Sequence, residues 1–138
     1  MSDETKRIAR AFYEGYNDKD LETNFDAYIS PDLVNHALDG RYNRRAWIDF
    51  DSTLFGAFEN FSLTVLDQVA EGDKVATRYR LGGTQTGEFA GVPAAGNTAY
   101  LTATSVDRIA GGVIVEHWTD LDFSGFLEQL SATPAEAR

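Results

Sequence analysis

The stretch WIDFDSTLFGAFENFSLTVLDQVAEGDKVATRYRL, residues 47–81, changes its period midway. In its first part Trp47, Phe50 or Asp51, Leu54 and Phe58 recur at helical spacing, and Asn43 just ahead is placed to cap the helix. From Phe61 onward Phe61, Leu63 and Val65 alternate with Ser62, Thr64 and Leu66, the pattern of a half-buried strand. Glu71-Gly72-Asp73 is a hairpin turn signal. Beyond it Val75, Thr77, Tyr79 and Leu81 share one strand face, and Arg78 and Arg80 take the other.

Toward the N-terminus, Ile8, Phe12 and Tyr16 stand at i, i+4 and i+8, with Ala9 and Tyr13 beside them, which predicts a helix over 4–17 that Asn17-Asp18 breaks. Leu21, Phe25 and Tyr28 mark a short second helix. Ser30-Pro31-Asp32 turns the chain into an extended piece, Leu33 to Ala37, that carries His36. Toward the C-terminus, Gly82 to Asn97 reads as an ordered glycine-rich connection anchored by Phe89 and Val92. Thr98 to Ile109 is a third strand, Gly111-Gly112 a turn, and Val113 to Leu121 a fourth strand. Asp122 can cap a last helix holding Phe126, Leu127 and Leu130, and the tail from Ser131 to Arg138 is small and polar. There is no internal repeat. The chain reads as a single domain over 1–138 with its core in about 5–130. Helices followed by a strand meander predict an α+β domain: a curved antiparallel sheet, closed by helices on its concave face, forms a cone with an apolar interior.

Composition narrows the function. Twelve basic against 22 acidic residues give a formal charge of −10, which repels phosphate backbones and anionic membranes alike. Nucleic acid and membrane are therefore not expected partners. No run approaches the ~20 apolar residues of a membrane span. MSDETKRIARAF lacks the apolar stretch of a signal peptide, so a soluble, cytoplasmic protein is expected. The absence of cysteine excludes disulfides, thiolate nucleophiles and cysteine-bound zinc. The two histidines lack ligand spacing, and no phosphate loop or Gly-x-Ser-x-Gly elbow is present, so neither metal nor cofactor is expected. Aromatic residues make up 12 % of the chain, enough for a filled core or for the walls of an apolar ligand pocket.

Three segments, in order, carry a resemblance. Thr86-Gly87-Glu88-Phe89-Ala90-Gly91-Val92-Pro93 looks like a G-x-x-x-G-x-P segment before a long strand. Gly111-Gly112-Val113-Ile114-Val115-Glu116-His117-Trp118, then Asp122 and Gln129-Leu130, is similar to a G-x-I-x-E-x-W-x-x-x-D ending followed by Q-L. Ser30-Pro31-Asp32-Leu33-Val34-Asn35 resembles a P-D-x-x-N stretch. Together they resemble the SnoaL-like polyketide cyclases of the nuclear-transport-factor-two-like superfamily, over about residues 5–130. The resemblance implies the cone-shaped fold, a small apolar partner and a cofactor-independent cyclase or isomerase. In those cyclases a histidine and an aspartate inside the cone do the acid/base work; their positions here fall on Ser105 and Thr119. Limonene-epoxide hydrolases of this fold also need an aspartate at Thr119. Ketosteroid isomerases have an acidic donor at Ser105 and a base near His36, which leaves a partial match.

His36, a base that titrates near neutrality, is thus the first catalytic candidate, against the plainer reading of a loop histidine bonded to backbone. His117 is the second, sharing a strand face with Val115, Thr119 and Leu121. Asp120 is a third, turned inward only if the strand bulges there. Asn35, Trp47, Gln85, Ser105 and Thr119 are candidate substrate contacts, with Ser105, Thr119, Asn35 and His117 placing hydrogen bonds on a developing oxyanion. The expected function is proton transfer on a small apolar carbonyl compound such as a polyketide. A non-catalytic binding protein of the same fold is the alternative that Ser105 and Thr119 favour, and an assembly module is a third. A homodimer through the open sheet face, which carries Val106 and Trp118, is expected in each case.

Overall fold

The computed structural model describes residues 2–37 and 43–132. In chain order the elements are α1 (Ser2–Glu14), a 3-10 turn (Gly15–Asp18), α2 (Leu21–Tyr28), β1 (Ile29–Asn35), α3 (Arg44–Ala57), β2 (Phe58–Glu71), β3 (Lys74–Gln85), β4 (Thr98–Ala110), β5 (Val113–Leu121) and α4 (Phe123–Ser131). Residues 133–138 of the expected polar tail lie outside the described residues, while Ser131 closes α4. Three helices start on side-chain caps: Asp20 accepts from Thr23 N–H at 3.2 Å, Asn43 from Ala46 N–H at 2.8 Å and Asp122 from Gly125 N–H at 3.0 Å.

The strands form one sheet in the order β1-β5-β4-β3-β2. It is mixed and curved, not wholly antiparallel as the sequence predicts. β1 runs parallel to β5, setting Val34 beside Glu116 and Asn35 beside His117. The bend comes from β2, where the ladder with β3 slips between Glu59 and Ser62 and again between Val65 and Asp67. Gly82 and Gly83 lie opposite the first slip, inside β3, where the sequence suggests that the connection has begun. A Cβ on Gly82 would stand 2.0 Å from the Ala99 carbonyl oxygen, and one on Gly83 2.7 Å from that of Glu59. Only glycine lets β3 approach both neighbours at the bend.

Burial alternates along the strands, as period two requires. In β4 Ala99, Leu101, Ala103, Ser105, Asp107 and Ile109 are all buried. The helices cover this concave face: α1 packs on β2 and β3, and α4 on β4. Phe12 is the centre of the aromatic core, its ring within 5.6 Å of those of Tyr13, Tyr16, Phe25 and Trp47. Among the described residues no helix is long and apolar enough to cross a membrane.

Candidate active site

Tyr13 near the end of α1 and Tyr16 in the following turn stand three residues apart, and each donates its O–H to a carboxylate. Tyr13 reaches Asp107 Oδ2 at 2.6 Å and Tyr16 reaches Asp51 Oδ2 at 2.6 Å. Burial, and then the facing carboxylate, raise both phenols well above their ordinary pKa, so both remain donors.

Asp107, on the inward face of β4, is fully buried. Its second oxygen meets His117 Nδ1 at 2.7 Å. A carboxylate there accepts, so Nδ1 carries a proton and the variable proton of the ring belongs to Nε2. No hydrogen bond reaches Nε2 among the described residues. Trp47 stacks on the His117 ring at 4.3 Å and donates its Nε1–H to Asp51 Oδ2 at 2.9 Å. The indole therefore stands between two acid/base groups. Burial pushes Asp51 up to about 6, against the downward pull of Tyr16, Trp47 and the charge of His117.

A chain of hydroxyls lies beside them. Ser105 Oγ donates to Thr119 Oγ1 at 3.0 Å, and the Tyr79 hydroxyl lies 2.8 Å from Ser105 Oγ. Each hydroxyl has one proton. With the Ser105 proton on Thr119, Tyr79 donates to Ser105, and the Thr119 hydroxyl stands in the cavity wall within reach of Tyr79.

These groups meet an open-mouthed cavity of about 610 Å³ between the helices and the sheet. Its wall is mostly apolar, with Leu54, Leu63, Leu81, Leu101 and Phe126 deep in the lining and Phe50, Phe89 and Phe123 clustered together. Asn35, Asp51, His117 and Thr119 interrupt it, and no lysine or arginine is in the described lining. Asn35 is buried, and its Oδ1 accepts from Ala37 N–H at 2.9 Å, which leaves its amide N–H groups for the cavity. Among the described residues no three His, Cys, Asp or Glu side chains gather as a metal site.

The structure brings together His117, Asn35, Trp47 and Thr119 of the residues singled out in the sequence, with Asp120 at the edge of the same cavity; Ser105, Gln85 and His36 do not line it. His36 is not in the cavity lining. It follows Asn35, whose parallel pairing with His117 faces inward, so its own ring falls on the outer face. There it stacks on Trp118 at 4.7 Å, with Nε2 2.7 Å from Glu116, whose carboxyl Arg108 and then His36 hold below the usual range. Asp120 is exposed at the cavity's edge. Its ladder with β4 is regular, so no bulge turns it inward. Gln85 does not line the cavity; it is buried, and its amide donates to the carbonyls of Gly87 at 3.0 Å and Val92 at 2.8 Å, bracing the connection. Ser105 is also fully buried and stands behind Thr119, not in the lining.

Asp51, Asp107, Tyr13 and Tyr16 are the site residues that sequence reasoning missed. The signal for the two acids was present: each is a carboxylate on an otherwise apolar stripe, four residues after Trp47 in one case and two after Ser105 in the other.

Residues 6–130 match the sequence model of the SnoaL-like polyketide cyclases. The chain belongs to this family. SnoaL-like and related structures share its architecture. AclR of Streptomyces galilaeus, assigned as a hydroxylase, is 27 % identical with a TM-score of 0.86, covering 97 % of this chain and 100 % of AclR. IdmH of Streptomyces antibioticus, assigned as a polyketide cyclase, is 34 % identical with a TM-score of 0.78, covering 93 % of this chain and 99 % of IdmH. TsrD of Streptomyces laurentii is 26 % identical with a TM-score of 0.82, covering 94 % and 96 % of the two chains. No curated protein sequence matches the chain. Within this SnoaL-like site, Ser105 and Thr119 pair directly across β4 and β5.

Proposed function

We propose that this SnoaL-like protein is a cofactor-independent enzyme that moves protons on a small apolar carbonyl compound, such as a polyketide, in a cyclisation or isomerisation. One observation carries the reading: the apolar wall is interrupted by the Asp107–His117 pair, whose Nε2 is unengaged by the described residues, with the Thr119 hydroxyl on the same face. Two residues apart on β5, these groups lie about 7 Å from one another along the strand. A carbonyl oxygen held between them gains hydrogen bonds as negative charge develops on it, and the apolar surroundings strengthen them. Asn35, beside His117, adds amide donors. A lining with aspartates and no lysine or arginine suits an uncharged molecule. IdmH, assigned as a polyketide cyclase, lends the substrate class.

The presence of hydroxyls at Ser105 and Thr119, where the family resemblance places a histidine and an aspartate, favours a second reading, a binding protein without chemistry. Hydrogen exchange separates the two. β-Tetralone is a neutral bicyclic ketone with exchangeable protons beside its carbonyl. In D2O the protein is expected to accelerate their exchange, followed by NMR. His117→Gln is expected to lower that acceleration by about 100-fold, and His36→Ala to leave it unchanged. Binding of β-tetralone without accelerated exchange is the result expected of the binding protein.

The proposal includes a homodimer. The outer face carries Val69 at 73 % and Val34 at 49 % exposure, with Trp118 between charged neighbours. Val34 and Val69 stand on the two edge strands, and a second copy laid across this face would remove these side chains from water. Sedimentation at micromolar concentration is expected to give twice the monomer mass; the monomer mass would overturn this expectation.

A further inference from the structure

With His36 on the outer face, the cavity needs another proton acceptor. We infer that Asp51 takes the substrate proton, working with His117 from the other side of Trp47. This inference rests on the proton-transfer reading above.

The geometry selects Asp51 from the acids near the cavity. Asp107 is enclosed, and both its oxygens are engaged, by Tyr13 and by His117. Asp120 is exposed at the edge with no buried donor fixing it. Asp51 lines the cavity, and its Oδ2 is fixed by two donors, Tyr16 O–H and Trp47 Nε1–H. No hydrogen bond reaches Oδ1 among the described residues. One oxygen is therefore anchored and the other is available, the arrangement a positioned base requires. The carboxylate's raised pKa of about 6 adds basicity near neutral pH.

The step balances without any co-reactant. Asp51 Oδ1 takes the proton from the carbon beside the substrate carbonyl. The C–H electron pair becomes the carbon–carbon double bond of the enolate. The carbonyl oxygen takes the negative charge, which Thr119 O–H stabilises beside the open Nε2 of His117. The enolate carbon then attacks a second carbonyl in a cyclisation, or the protonated Asp51 returns its proton to another carbon in an isomerisation. The carboxylate is regenerated in the second case directly, and in the first by giving its proton to the new alkoxide.

The β-tetralone exchange assay tests this with Asp51→Asn. Asparagine keeps a carbonyl oxygen for Tyr16 and Trp47. It also relieves a cost: an acid whose folded pKa is raised loses stability as pH climbs from its unfolded value of 3.8 to about 6, so the variant is expected to be no less stable at neutral pH. Exchange is expected to fall by about 100-fold or more, and the rise of the wild-type rate through a midpoint near 6 to disappear. Tyr16→Phe supplies a readout that a purely structural role for Asp51 would not move. Removing a donor that holds the carboxylate's pKa down is expected to shift the midpoint of the pH–rate profile upward. Wild-type exchange that survives in Asp51→Asn within about threefold, or a midpoint unmoved in Tyr16→Phe, overturns the role of Asp51 and leaves the proton-transfer reading standing. A wild-type protein that does not accelerate exchange at all overturns that reading and Asp51 with it.

Discussion

Phe12→Ala is expected to lower the stability of the fold by about 4 kcal/mol, read as a fall in the urea midpoint at an unchanged slope. Phe12 has no exposed surface, and the substitution leaves a void that four surrounding rings cannot all fill. Its ring meets Tyr13, Tyr16, Phe25 and Trp47 edge-on, between 5.0 and 5.6 Å. Each such contact adds roughly 1 kcal/mol beyond burial, so a Phe12→Leu protein is expected to fall between the two. The damage does not stop at stability. Three of the four partners orient the polar groups: Tyr13 bonds Asp107, Tyr16 bonds Asp51, and Trp47 touches both His117 and Asp51. A midpoint within experimental error of the wild type would show that the ring cluster is not the centre of the core.

The second large effect is expected from Asp107→Ala, at about 3 kcal/mol. The substitution removes the carboxylate that accepts from the Tyr13 hydroxyl and from His117 Nδ1, two donors enclosed away from water. Buried donors without acceptors carry the full cost of their desolvation. Asp107→Asn keeps one acceptor oxygen for two donors and is expected to lose less. Chemical denaturation measures both variants. Equal losses in the two would mean that the full carboxylate, with an acceptor oxygen for each donor, is what matters there, and that the shape Asn preserves is not enough.

Much of this was legible in the chain. The helix over 47–57 and the hairpins were written in local signals: a change of period, Gly72, the Gly111-Gly112 pair, and Asn43 and Asp122 as caps. The parallel pairing of β1 with β5 was not, because the partners are some eighty residues apart and no turn joins them. That one pairing decides the fate of both histidines. It sets Asn35 level with His117 on the inner face and thereby sends His36 to the outer one. The sequence places both near the cavity because an extended segment of unknown register has no inside or outside. Asp51 was hidden by an ambiguity at the same spot where the helix was easiest to see. Phe50 and Asp51 both fit the helical spacing, and in the fold both line the cavity, Phe50 at 39 % exposure and Asp51 held by buried donors. The hydrogen bonds that qualify the acids come from tyrosines that local periodicity reads only as core.

The chain has two tryptophans, and they lie on either side of the sheet. Trp47 rests on His117 in the cavity wall, and Trp118 lies on the outer face, stacked against His36 with Lys74 Nζ 5.3 Å from its ring. Their fluorescence is therefore divided by the fold itself. Emission from Trp47 answers to what fills the cavity, and emission from Trp118 to what meets the outer surface. Replacing either one by phenylalanine leaves a single optical reporter, so occupancy and self-association can be followed as separate signals.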